Sequence, residues 1–252
     1  MTVASVTAKI MSAVLSAAFH SRFIKNENMS ANAGAATENS RSRFRPPRGC
    51  TLTRTPCGEC FVESLVPENA GTDTVIFHIH GGSFKIKLID LYRRFALKYS
   101  RTAGGAAVYS VDYRIMPEYI FPSQLDDVMS AWDMLMSQGV KPENVIAVGD
   151  SSGANLVLAL AQKLRDSGRP MPKKLVCFSL WGDMTACGES YERNCHSDPF
   201  YGIAKKESFH EHEAYFRRRP KYAGEHDLSD PYLSVSFADF SGFPPTVFFC
   251  GT

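Results

Sequence analysis

Residues 145–160, V-I-A-V-G-D-S-S-G-A-N-L-V-L-A-L, limit the fold more tightly than any other stretch of the chain. Val145, Ile146 and Val148 form a short β-branched apolar run, the pattern of a buried strand. Gly149, Ser151 and Gly153 follow as Gly-x-Ser-x-Gly. Residues 154–165 then carry Leu156, Leu160 and Leu164 on one helical stripe. Strand, glycine-flanked turn and helix in direct succession leave little side-chain bulk beside Ser151, so that its hydroxyl projects above a sheet. The serine also opens a helix, where the dipole and free N–H groups favour developing negative charge.

The rest of the chain repeats that rhythm. Strands are expected at 75–80, 107–112, 145–148, 175–181 and 246–250. Between them, helices are expected at 90–99, with Leu91, Phe95 and Tyr99 on one face, and at 123–137. The second carries Leu125, Val128, Met129, Trp132, Leu135 and Met136 at helical spacing, with Asp126 and Asp127 reading as surface or first-turn charges. Gly168 and Pro170 end the helix after Ser151. Such alternation predicts an α/β fold with a doubly wound, mostly parallel sheet, which binds ligands beyond the carboxyl ends of its strands. Two edge strands, 51–55 and 59–66, are expected to meet at a type I turn over Thr55-Pro56-Cys57-Gly58.

Composition removes other classes. At 252 residues and 44% hydrophobic, the chain can hold one large domain or a core with a small cap. A net charge of +2 calls for no nucleic-acid partner, and no apolar run of about 18 residues predicts an integral membrane segment. Seven cysteines at irregular spacing argue for reduced thiols and a cytoplasmic setting. Cys57 and Cys60 form C-x-x-C, but without the βα context of a redox pair or two further zinc ligands they read as coincidence in a hairpin. Residues 1–26 hold no acid but carry Lys9, Arg22 and Lys25, which fits either a mitochondrial transit peptide or an amphipathic N-terminal helix. Residues 26–49 read as a flexible linker, with Arg41, Arg43, Arg45 and Arg48 as a solvated loop rather than a nucleic-acid or lipid patch.

A second stretch adds chemistry. Residues 74–80 (T-V-I-F-H-I-H) run straight into Gly81-Gly82-Ser83-Phe84. Two glycines after a strand let backbone N–H groups approach a ligand, and acyl transfer needs such donors for its oxyanion. His80-Gly81-Gly82-Ser83-Phe84 together with Gly149-Asp150-Ser151-Ser152-Gly153 resembles the hormone-sensitive-lipase-like branch of the α/β-hydrolases, of the bacterial acetyl-esterase type. Val111-Asp112-Tyr113-Arg114-Ile115-Met116-Pro117-Glu118, Phe121-Pro122, Ser229-Asp230-Pro231-Tyr232-Leu233-Ser234 and Phe243-Pro244-Pro245-Thr246 match that branch in order, over roughly residues 50–252.

The resemblance implies a carboxylic ester hydrolase, esterase- or lipase-like, that works through an acyl-enzyme on a small-molecule ester, with no cofactor and no metal. It implies Ser151 as nucleophile, Gly81, Gly82, Ser83 and Ser152 around the oxyanion, and His80, Gly149, Asp150 and Gly153 as motif support. It divides the chain into an N-terminal helix and linker at 1–49, a core at 50–181, a helical cap at 182–228 and a return to the core at 229–252. In the family the N-terminal helix covers the site. Tyr201, Phe209, Tyr215 and Phe216 of the cap either line an acyl pocket or anchor cap helices.

Three departures stand out. Ser83 replaces the usual third glycine, and its β-carbon can narrow the cavity. Ser152 replaces the usual alanine. The family's acid and histidine follow the strand after Phe243-Pro244-Pro245-Thr246, yet that strand runs to Cys250-Gly251-Thr252. The catalytic acid and histidine, with the last strand and helix of the fold, are therefore expected to be absent, and the chain to be incomplete and weakly active or inactive. The alternative is a non-catalytic small-molecule-binding protein on the same fold. Nothing in the sequence speaks to oligomeric state.

Overall fold

The computed structural model describes residues 42–198, 202–203 and 206–251. The expected N-terminal segment of residues 1–26, most of the linker, and Tyr201 lie outside the described residues. Two compact units divide the chain, one formed by residues 34–184 with 220–252, the other containing residues 185–219.

The larger unit is built on a seven-stranded sheet. Its strands are β1 (Cys50–Cys57), β2 (Cys60–Pro67), β3 (Val75–Ile79), β4 (Ala107–Asp112), β5 (Val145–Asp150), β6 (Lys174–Phe178) and β7 (Thr246–Phe249), in the spatial order β1-β2-β4-β3-β5-β6-β7. β1 and β2 pair antiparallel with each other, and β2 pairs antiparallel with β4; the remaining pairs are parallel. Helices α1 (Asp90–Thr102), α2 (Ser123–Ser137) and α3 (Ser152–Asp166) are the crossovers. Val75, Phe77, Ile79 and Val111 pack with α2 and α3 on one face, whereas Ile76, Val108 and Val148 pack with Ala96 of α1 on the other. Period-2 alternation along the strands thus feeds two cores, one on each face.

Three expectations are corrected. The hairpin turn falls two residues later than predicted: β1 runs through Pro56 to Cys57, and the loop is Gly58-Glu59 with φ +56° at Gly58. Pro56 is tolerated because β1 is an edge strand, and a glycine at the first central position suits a two-residue hairpin. Asp127 is not a surface charge. It is buried on the apolar stripe of α2, where its carboxylate accepts the Arg114 backbone N–H at 2.8 Å and pairs with the guanidinium at 2.8 Å. A buried carboxylate stays there only with such a partner. The strand expected at 175–181 also stops at Phe178, because Ser179 turns away with φ +46°.

The unit containing residues 185–219 is small. Cys195, Ile203 and Phe209 form its core, with Tyr191 and Phe216 packed against them and Phe209 stacked on Phe216 at 5.2 Å. Ser208 and Glu211 close a capping box ahead of the short helix at Phe209–His212. Of the four aromatic residues considered for an acyl pocket, Phe209 and Phe216 thus serve this unit's own core, and Tyr215 lies edge-on to Phe216. Among the described residues, no helix is long and apolar enough to cross a membrane.

Candidate active site

The parallel register brings two loops to one edge of the sheet. Ile79, the last residue of β3, pairs with Gly149 near the end of β5, so the segments that follow leave side by side. After β5 the chain turns within one residue. Ser151 has φ 53° and ψ −119° and is the N-cap of α3. A non-glycine residue held there is strained and needs surroundings that over-determine it. Those surroundings are specific. The Ser151 N–H donates to Phe178 O at 2.8 Å, and its carbonyl accepts from Ala154 N at 3.1 Å and Asn155 N at 3.2 Å.

The flanking glycines are required by close approach. A β-carbon on Gly153 would strike the carbonyl oxygens of Ile79 and His80, and one on Gly149 would lie 2.5 Å from the Gly153 backbone. The turn is therefore wedged against the end of β3, where the second loop begins.

That loop has three consecutive residues with positive φ: Gly82 at 109°, Ser83 at 55° and Phe84 at 59°. Several ties hold it. Gly81 N–H donates to Asp150 Oδ1 at 3.1 Å, Tyr113 Oη donates to His80 O at 2.8 Å, and Met116 N–H donates to Phe84 O at 2.8 Å. Phe84 N–H points to Ser152 Oγ at 3.4 Å, and the Phe84 ring stacks on Tyr222 at 3.5 Å. The bond to Asp150 occupies the Gly81 amide. Gly82 and Ser83 remain on the loop, and Ser152 contributes the first N–H of α3.

His80 is fully buried, stacked on Tyr113 at 4.3 Å, and donates from Nδ1 to Gly81 O at 2.8 Å. Burial pushes its pKa down to about 4, so the ring is neutral at pH 7. His78 behind it is lowered to about 3 by burial and by His80, with Nδ1 at 2.9 Å from Ser110 Oγ. Neither ring is placed to take a proton from a solvent-facing hydroxyl. Burial raises the Asp150 carboxyl to about 6, against the opposing bond from Gly81 N–H.

Sequence reasoning missed Asn155, Tyr113 and the Arg114–Asp127 pair. Asn155 Nδ2 donates to Trp181 O at 3.0 Å and to Leu233 O at 2.9 Å, so one side chain at the start of α3 pins both the exit of β6 and the Asp230–Ser234 segment. Its signal was available: an amide two residues after Gly153 of Gly-x-Ser-x-Gly, on a helix otherwise apolar at that end.

Among the described residues, no side chain hydrogen-bonds to Ser151 Oγ. In the unit containing residues 185–219, His196 Nδ1 lies 3.4 Å from Ile203 O, His210 sits beside Glu192 and Glu213, and His212 sits beside Glu207. His226 lies edge-on to Phe121 at 5.0 Å. The described residues also hold no cluster of three or more metal-ligating side chains.

Known proteins share this fold. The family described as an alpha/beta hydrolase fold matches residues 76–252. An acetyl-hydrolase of Streptomyces hygroscopicus is 31% identical over 77% of this chain and 62% of its own length. An esterase of Acinetobacter venetianus is 33% identical over 72% of this chain and 57% of its own. The chain thus spans about three-fifths of the length of these curated relatives. Among solved structures, an esterase/lipase from an uncultured bacterium superposes with a TM-score of 0.78 at 26% identity, covering 97% of this chain and 78% of that one. An esterase from the bacterial hormone-sensitive lipase family gives 0.74 at 25% identity, covering 98% and 78%. With its strand–serine–helix turn wedged against the glycine loop of β3, and a family match over residues 76–252, this chain belongs to the alpha/beta hydrolase fold family.

Proposed function

We propose that the protein is a serine carboxylic ester hydrolase that works through an acyl-enzyme. The observation that carries the reading is the strained Ser151 turn, held open to one side by Gly149 and Gly153 and flanked by the loop at Gly82 and Ser83. In this mechanism Ser151 Oγ attacks the ester carbonyl carbon, the ester C–O bond breaks, and the alcohol leaves. Water then cleaves the acyl-serine and releases the acid. The backbone N–H groups of Gly82, Ser83 and Ser152 stabilise the oxyanion in both tetrahedral steps, where charge forms and donors fixed beforehand are most effective. His80, Asp150, Gly149 and Gly153 hold the two loops in place. The substrate is a small-molecule ester, and the relatives' names, acetyl-hydrolase and esterase, support a short acyl group. The odd, irregularly spaced cysteines support a reducing, cytoplasmic setting.

Serine attack needs a base, and Ser151 Oγ has none among the described residues. We therefore propose that residues 1–252 alone hydrolyse esters only at a low rate, on the order of the 10³–10⁴-fold over water that survives removal of triad members. A second reading is a small-molecule-binding protein on the same fold, since among the described residues no side chain hydrogen-bonds to Ser151 Oγ. A fluorophosphonate probe separates the two. Labelling that disappears in Ser151→Ala supports the hydrolase. Labelling that persists in that variant moves the nucleophile elsewhere, and an unlabelled protein that binds esters without turnover supports the second reading. Ordinary esterase turnover by residues 1–252, on the order of 1–10³ s⁻¹, would place the base on His196, His210, His212 or His226.

A further inference from the structure

Two of the departures from the family's pattern, Ser83 and Ser152, are linked through Phe84, whose N–H points to Ser152 Oγ. Ser83 puts a β-carbon into a left-handed conformation, φ 55°, in the middle of the oxyanion loop, and Phe84 continues it at φ 59°. Two consecutive non-glycine residues in this region are unfavourable and persist only when fixed from outside. Phe84 is fully buried, so its N–H needs an acceptor. The acceptor is Ser152 Oγ, 68 residues away in sequence, on a side chain that is itself fully buried. Ser152 does not cap α3, because the N-cap is Ser151; besides Phe84 N–H its side chain meets the Tyr113 hydroxyl, which also holds His80 O of the same loop. An alanine at 152 would leave the Phe84 N–H buried and unmatched, and a glycine at 83 would remove the strain the bond opposes.

We propose that the Ser152 hydroxyl is a positioning residue for the oxyanion loop: by holding Phe84 N–H it aims the neighbouring Ser83 amide and offsets the β-carbon of Ser83. Ser152 then acts twice, its backbone N–H on the oxyanion and its side chain on the loop that supplies the other donors. The 3.4 Å separation is at the long end for such a bond. This inference rests on the hydrolase reading above.

The test compares wild type, Ser152→Ala, Ser152→Cys and Ser83→Gly/Ser152→Ala on the full chain. Three quantities are read: amide exchange at Phe84, the fluorophosphonate inactivation rate constant with its half-saturation concentration, and the thermal midpoint. In Ser152→Ala the Phe84 amide exchanges at least about 10-fold faster. The inactivation rate constant falls roughly 10- to 10²-fold, the scale of a misplacement near 1 Å. The half-saturation concentration stays unchanged. A purely structural serine would lower only the thermal midpoint. Ser152→Cys, which keeps a weak acceptor in place, recovers part of the rate and also carries the test if Ser152→Ala fails to fold. Adding Ser83→Gly to Ser152→Ala makes the loss smaller. Unchanged inactivation in both Ser152 variants, or an unchanged Phe84 exchange rate, overturns the proposal. Failure of the wild type to label overturns the hydrolase reading, and this inference with it.

Discussion

The centre of the sheet and its β7 edge are both apolar runs, and they have opposite fates. Val145, Ala147 and Val148 of β5 are buried, with β3 on one side and β6 on the other. Val247, Phe248 and Phe249 of β7 are 45%, 48% and 51% exposed, and among the described residues β7 pairs with β6 alone. Both runs read as apolar strands. What separates them is the number of neighbours, since an apolar side chain is driven inward only where another layer exists to receive it. The contrast sets where mutation is costly and where it is cheap.

The centre is most easily broken at Gly153. Gly153→Ala drives a methyl into the carbonyl oxygens at the end of β3, so a loss above about 4 kcal/mol or failure to fold is expected. Chemical denaturation measures it, and a loss under about 1 kcal/mol would refute the wedge between the two loops.

Next come matched truncations at centre and edge. Leu160 of α3 is fully buried, and Leu160→Ala should cost about 2–5 kcal/mol. Phe248→Ala at the edge should cost about 0.5 kcal/mol or less. Phe248→Ser should also reduce self-association, because an exposed apolar edge strand is a template for pairing. Light scattering reads the second effect, and equal costs at Leu160 and Phe248 would erase the distinction between the regions.

Acid should act on the centre through His80. Its folded pKa, about 4, lies below the ordinary 6.5, so the unfolded chain takes up a proton that the folded chain refuses. Stability is complete above pH 6.5 and is lost as pH falls toward 4, by about 3 kcal/mol from this residue. Unfolding free energies at pH 7 and 4.5 should differ less in His80→Asn than in the wild type, and an identical difference would argue that His80 is not buried neutral.

The smallest effect is expected at Ser83. Ser83→Gly relieves a left-handed serine but adds backbone freedom to the unfolded chain, two opposing contributions of about 1 kcal/mol each. Stability should change by about 0.5 kcal/mol or less, and any esterase activity should be preserved. A large loss of activity would mean that the loop relies on the Ser83 side chain itself.

Much of this was legible in the residues because the cues are local. β4 and α2 have the bounds that alternation and helical spacing predict, and Gly-x-Ser-x-Gly lies between a strand and a helix. The hairpin was misplaced by two residues because Pro56 and Gly58 each carry a turn signal, and only the edge position of β1 lets Pro56 remain in the strand. Asp127 was misread because a charge on a helix is ordinarily solvated, and its partner Arg114 lies on a different element.

The order of strands and helices, the serine turn and the glycine loop follow from periodicity and steric bulk, which act between residues near in sequence. Which loop amide is taken by a distant side chain does not follow from them. Gly81 and Gly82 look alike in the chain, and only the approach of Asp150 from 69 residues away takes one N–H and leaves the other. The same holds for Ser152 and Phe84 and for Asn155 and Leu233. Each depends on a partner brought close by folding, and the strength of a hydrogen bond or a buried contact depends on that proximity.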